Sequence, residues 1–318
     1  MSDAGKAVEK RMDDAARAAW LYFIGGKTQD EIAGQLDLSR QAVQRLVALA
    51  VSEKLIRFRL DHPIAACMEL ASRISDRFEL QYCDIVPGDP QAQGANAGVA
   101  VAVAMRLERL LTMKAPTVLC VGTGRTLRSA VEEMDAVDRP QHKIVSLVGN
   151  MAADGHASPY DVVMRLADKL GAQRYPMPVP VITGTVEDRE ALQGQRSFAL
   201  LRELRAQARA SFVGIGEIGW NAPMHRDGFM TDTDVSVLAE QGAAGEITGW
   251  SFDAAGHVLQ GPINDRVASL PLECPPERLT VIAGSGPSKI VPIRAALAGR
   301  LASAIITDET TATAILST

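Results

Sequence analysis

The 318-residue chain carries 33 Lys and Arg against 38 Asp and Glu, a formal charge of −5, with 47% hydrophobic and only 4% aromatic residues. This is the composition of an ordinary globular chain, and the negative balance excludes a protein that coats nucleic acid over its whole surface. The longest apolar run, 97–105, is too short to span a bilayer, so no membrane is expected as a partner.

The length suits one small and one large domain, and the charge is divided unevenly. Residues 1–60 hold ten basic and eight acidic side chains, a local +2, which leaves −7 for the remainder; between 39 and 60 five basic residues face only Glu53. Such a stretch is either an anion-facing surface or a solvated helix face. The four cysteines form no C-x-x-C pair and read as free thiols in a reducing cytoplasm. The polar, charged N-terminus reads as lacking a signal peptide. The five histidines show no metal-ligand spacing, and neither metal nor cofactor is expected.

Residues 1–10 show no apolar pattern and read as disordered. A helix follows to Ile24 and stops at Gly25-Gly26. Thr28, with Glu31 three residues on, forms a capping box that opens a short helix to about Leu36. Asp37-Leu38 is a turn, and Ser39 caps a second helix to about Lys54. Leu55–Leu60 alternates apolar and basic side chains and reads as a strand. It is either a wing that turns Arg57 and Arg59 to phosphate or a simple connector.

Two helices crossing in a helix-turn-helix need a small residue where they meet, filled by Ala33. They also need apolar contacts, supplied by Ile32, Leu36, Leu38, Val43 and Leu46. The left-handed position usual for Gly is occupied by Asp37, which tolerates it at modest cost. The second helix then enters the major groove of operator DNA with Ser39, Arg40, Gln41, Gln44 and Arg45 outward. Gln pairs with adenine and Arg with guanine, while Thr28 and Gln29 meet backbone phosphate. The domains are 1–60, for DNA binding, and 61–318.

Beyond the break at His62-Pro63 a helix spans Ile64–Phe78. Strands follow at 80–86, 117–121, 143–148, 211–215, 246–252, 279–283 and 303–307. Helices are expected at 96–113, 126–134, 159–170, 187–210 (broken near Gly194), 287–298 and 309–316. The alternation predicts an α/β domain with a mostly parallel sheet covered on both faces.

Three Gly-rich loops follow strands. Gly122-Thr123-Gly124-Arg125-Thr126 precedes a helix, so backbone N–H groups, helix dipole and hydroxyls converge on an anion, with Arg125 beside them; a plain tight turn is the alternative. Gly214–Gly219 matches G-x-G-x-x-G literally, but Trp220, Asn221, Ala222 and Pro223 after it do not begin a helix, so a dinucleotide site is not expected. In Gly284–Lys289, Lys289 stands at a helix start, facing either an anion or solvent. Glu246 and Asp308 lie at strand ends, where a carboxylate can accept from ligand hydroxyls; Asp308 can equally cap the helix that follows. Phosphate donors with hydroxyl acceptors describe a site for a phosphorylated sugar or polyol.

The stretch Thr28–Ala33 followed by Ser39–Val43, the loop Gly122–Thr126, Val213–Gly216, Gly245-Glu246-Ile247, Ala283–Lys289 and Thr307-Asp308-Glu309 together resemble the SorC family of bacterial sugar-responsive transcriptional regulators. The resemblance covers nearly the whole chain. It implies an effector domain like ribose-5-phosphate isomerase and glucosamine-6-phosphate deaminase, a phosphosugar effector, and a dimer or tetramer. It places the effector on Gly122, Thr123, Gly124, Arg125, Thr126, Glu246 and Lys289. Ser285 stands where a second glycine is common. Two other readings remain: a sugar-phosphate isomerase or deaminase with an appended DNA-binding domain, and a DNA-binding protein whose large domain only oligomerises.

Overall fold

In the computed structural model, which describes residues 3–56, 64–88, 97–152 and 154–317, the chain divides into two units, Met1–His62 and Pro63–Thr318. The first unit is helical. A helix already spans Asp3–Ala19 and runs on into a π-helical turn at Trp20–Ile24, so the opening residues are not the disordered segment their weak periodicity suggests. Ala and charged residues of high helix propensity carry this helix without a broad apolar face.

Thr28 and Glu31 close the expected capping box over helix Gln29–Leu36, and the Ser39 hydroxyl accepts from the Ala42 amide at 3.2 Å to start helix Arg40–Ser52. Asp37 between them is left-handed, with φ 55° and ψ 47°. Ala18, Leu21, Ile32, Val43 and Val47 form the small core, with Ala33, Leu36 and Leu46 against it. Leu38 is not part of it. The turn carries its side chain outward to 39% exposure, and Leu21 and Val47 supply the missing contacts. Leu55 and Ile56 form a bend rather than a strand; the rest of the proposed wing, with Arg57 and Arg59, lies outside the described residues.

The second unit is built on a seven-stranded sheet of β1 (Tyr82–Val86), β2 (Val118–Val121), β3 (Lys143–Ser146), β4 (Gln173–Tyr175), β5 (Ala210–Gly214), β8 (Leu279–Ala283) and β9 (Ala304–Asp308). The spatial order is β1-β9-β8-β5-β2-β3-β4, and every pairing is parallel. Such a sheet is buried on both faces, and the side chains divide by twos. Leu119, Val121, Ile144, Phe212, Val281 and Ile306 point into one core. Cys120, Val145, Val213, Ile282 and Ile305 point into the other.

The expected single strand at 246–252 is instead an antiparallel hairpin, β6 (Ala243–Ile247) and β7 (Trp250–Asp253), separate from the main sheet. Its two-residue turn puts Thr248 at φ 52° and Gly249 at φ 91°, the paired positive φ values that match strand twist in tight hairpins. The helical stretch 187–210 is broken at Gly194 as expected, into Val186–Gln193 and Arg196–Ala206, and helix Asp232–Glu240 is an addition. A third, smaller core of Val148, Val181, Phe229, Met230, Leu238 and Val267 lies beside the hairpin.

Phe212 is fully buried at the centre of the sheet. Phe212→Ala is expected to lower the stability of the second unit by about 3–5 kcal/mol, measured by urea denaturation. Asp37→Gly relieves the left-handed backbone and is expected to raise the stability of the first unit by up to about 1 kcal/mol. An unchanged or lowered melting transition for that unit contradicts it.

Candidate functional site

In the first unit, Arg40, Gln41, Gln44 and Arg45 share the exposed side of helix Arg40–Ser52, whose opposite side supplies Val43 and Val47 to the core. The Arg40 guanidinium lies 3.5 Å from the Asp30 carboxylate, both well exposed, so solvent screens the pair and it is weak. Thr28 and Ser39 are both exposed but have capping work: the Thr28 hydroxyl accepts from the Glu31 amide at 3.3 Å, and Ser39 caps the next helix. Gln29 is half-buried at the start of its helix.

In the second unit one cavity opens at the carboxyl ends of the strands, with about 910 Å³ of space including its mouth. It sits where β2 and β5 lie side by side while the chain leaves β2 toward β3 and β4 and leaves β5 toward β8 and β9. That reversal is where loops diverge and ligands bind in open α/β sheets.

Thr123, Gly124, Arg125 and Thr126 line it. Gly124 has φ 123° and starts helix Arg125–Glu133 with no side-chain cap, and a Cβ there would meet nothing within 4 Å. The helix start therefore presents backbone N–H groups and the positive dipole end to open space. The Thr123 hydroxyl donates to the Tyr160 carbonyl at 2.6 Å, which ties the loop down. Arg125 is exposed and makes no hydrogen bond or ion pair with any described residue. Gly122 lies beneath the cavity, packed on Val213 and Thr248, and does not line it.

Glu246 is buried and faces the cavity from the hairpin. Its backbone exchanges two hydrogen bonds of 2.9 Å with Gly216, and its Oε2 accepts from the Gly249 amide at 2.9 Å. A Cβ on Gly216 would fall 2.1 Å from Glu246 Oε1, so glycine at 216 makes room for this carboxylate. Burial raises the Glu246 carboxyl above the ordinary carboxylate range, against the lowering effects of the Gly249 amide and the Lys289 charge.

Lys289 also lines the cavity, and its ammonium pairs with Glu217. For Glu217, burial acts upward, but the Lys289 hydrogen bond and charge outweigh it and hold the carboxyl below its usual range. Asp308 does not line the cavity. Of its two sequence readings, the structure bears out the cap: its Oδ1 accepts from the Thr311 amide at 2.7 Å.

Sequence reasoning missed Glu217 and the strap after β5. Pro223, Met224, Asp227 and Phe229 of this strap line the cavity. Pro223 opens a one-turn helix to Arg226, and His225 fastens it: one ring nitrogen is 2.8 Å from the Trp220 carbonyl and the other 2.7 Å from Asp232. These contacts, the Asp232 bond foremost, raise the His225 imidazole above its ordinary value. The signals available were Pro223 at a helix start and the Thr231–Asp234 capping box that opens the next helix.

The fold and cavity define a class: a parallel α/β unit with a small-molecule pocket at its strand ends, in one chain with a helix-turn-helix. The family model described as "Putative sugar-binding domain" matches residues 62–317. The erythritol catabolism regulatory protein EryD of Brucella abortus is 34% identical over 303 residues, 95% of this chain and 96% of its own length. The transcriptional regulator LsrR of an Enterobacter species is 28% identical, over 95% and 92% of the two chains. The full-length sorbitol operon regulator SorC of Klebsiella pneumoniae has the same fold, with a TM-score of 0.68 at 19% identity over 96% of this chain and 98% of its own. The chain belongs to this sugar-binding-domain family, the SorC family of transcriptional regulators.

The two carboxyls beside the cavity respond to pH in opposite senses. Glu217, held low, contributes stability above the ordinary carboxylate range that is lost as pH falls through its lowered value. Glu246, held high, contributes stability in its protonated form that is lost as pH rises through its raised value. Glu246→Gln is therefore expected to remove the second loss, so that as pH rises above the ordinary carboxylate range the variant's melting temperature falls less than the wild type's. Parallel pH profiles for the two proteins contradict the assignment.

Proposed function

We propose that this protein is a DNA-binding transcriptional regulator of a carbohydrate or polyol catabolic operon, controlled by a phosphorylated sugar or polyol in the second unit. The observation that carries this reading is the meeting, in one cavity, of an uncapped helix start at Gly124, the unpaired Arg125 and the buried acceptor Glu246. The helix start, Thr123, Thr126 and Arg125 take the phosphate. Glu246 accepts from ligand hydroxyls, and Lys289, oriented by Glu217, adds a donor. Asp308 serves this site indirectly, by capping the helix behind it.

Arg40, Gln41, Gln44 and Arg45 read base edges in the major groove. Thr28, Gln29 and Ser39, at helix starts, meet phosphates through backbone N–H groups. Arg40 exchanges Asp30 for DNA on binding. The working form is a cytoplasmic homo-oligomer, dimer or tetramer, in which effector binding changes how protomers pack and so the spacing of their reading helices. The pocket binds without turnover. The relatives' names, regulators of erythritol catabolism among them, support this reading.

The test joins two assays on the full chain. In a thermal-shift screen against phosphorylated sugars and polyols, one compound is expected to raise the melting temperature by mass action, and Lys289→Ala and Thr123→Ala to lose that shift. The same compound is expected to change affinity for DNA from the chain's own promoter region. Arg45→Ala is expected to weaken that DNA binding by roughly 10- to 100-fold and leave the thermal shift intact. Equal DNA affinity with and without every metabolite tried sinks the regulatory reading, and product appearing by NMR from the bound compound sinks the non-catalytic one.

A further inference from the structure

The cavity is lined by one acidic side chain that none of the roles above uses. Asp227 lines the cavity, is half-buried, and its carboxylate makes no hydrogen bond or ion pair with any described residue. Its position is fixed. Its amide donates to the Pro223 carbonyl at 2.9 Å, closing the one-turn helix. His225 anchors the strap on one side, and Phe229 and Met230, buried in the third core, anchor it on the other. A carboxylate held on an anchored strap and facing an open cavity is a preorganised acceptor.

The charges around the cavity limit what it can hold. Lys289 is already matched by Glu217. Among the described lining residues this leaves Arg125 as the unmatched cation, together with the helix start at Gly124. That suffices for one phosphate. A second phosphate has no unmatched cation to meet, and it would approach either Asp227 or the buried Glu246.

We propose that Asp227 is a specificity-determining residue: it accepts hydrogen bonds from the uncharged, hydroxyl-bearing end of a monophosphate and rejects ligands that carry a second phosphate. The proposal rests on the reading of this cavity as a phosphosugar site. Like charges brought together in a partly dry pocket are strongly disfavoured, so the discrimination comes from repulsion as well as from attraction.

The test titrates the full-length protein by calorimetry and thermal shift with paired probes: fructose 6-phosphate against fructose 1,6-bisphosphate, ribose 5-phosphate against ribulose 1,5-bisphosphate, and erythritol 4-phosphate. The wild type is expected to bind at least one monophosphate, and bisphosphates at least about tenfold more weakly. Asp227→Arg is expected to reverse the order and gain bisphosphate binding. Asp227→Asn, nearly isosteric, is expected to lose monophosphate affinity and narrow the gap, which keeps the test valid if the arginine variant melts early without ligand. Equal binding of monophosphate and bisphosphate by the wild type, unchanged in both variants, overturns the role of Asp227 and leaves the phosphosugar reading standing. No binding of any probe by any of the three proteins overturns the phosphosugar reading and this proposal with it.

Discussion

All seven strands of the main sheet run the same way, so every strand delivers its carboxyl end to a single edge. Helices cover both faces, and the edge is the open place left for a ligand. The chain's reversal of direction between β2 and β5 parts the loops there. The parting is narrow: a Cβ on Gly214 would lie 3.0 Å from the Thr123 carbonyl, so the loops from the two central strands touch at their base and separate only above it. The loop at Thr123–Thr126, the strap and the hairpin that carries Glu246 all take their positions from this arrangement. The two-faced packing of residues such as Phe212 and Val213 is what holds the edge rigid enough to place them.

At that edge the protein keeps a carboxylate where stability alone would not put one. Glu246 is withdrawn from water and bonded on one oxygen to the Gly249 amide, with Lys289 near enough to act on it by charge but engaged with Glu217. Desolvation of Glu246 is thus a cost to the folded protein, offset in part by the Gly249 amide and the Lys289 charge.

Much of this was legible in the residues. Thr28 with Glu31, and Ser39 with the amide it caps, are local rules read directly from spacing, and Asp37 was placed in its left-handed turn because little else fits between those helices. The strands of the main sheet were visible as apolar runs because both their faces are buried. Legibility failed where tertiary packing overrides local pattern. The hairpin read as one strand because its turn is Thr248-Gly249, and threonine does not announce a positive φ as asparagine does. β4 is short and polar, recognisable only by its pairing with β3. Leu38 looked like core because a leucine in a turn carries no sign of which way it points. Pro223 and the Thr231–Asp234 capping box mark the ends of the strap, but Met224, Asp227 and Phe229 share no period that would group them; a cavity brings them together.

The contact between Gly216 and Glu246 has a consequence for how this pocket can change over generations. The missing Cβ at one position is the space occupied by the carboxylate of the other. The two positions, thirty residues apart in sequence, are therefore sterically coupled. A side chain gained at 216 demands a shorter or redirected one at 246, whereas a shorter residue can replace Glu246 while glycine stays at 216. The order of change is therefore set: position 246 must give up or move its carboxylate before position 216 can gain a side chain. Position 216 thus stays glycine for as long as the buried carboxylate keeps its place.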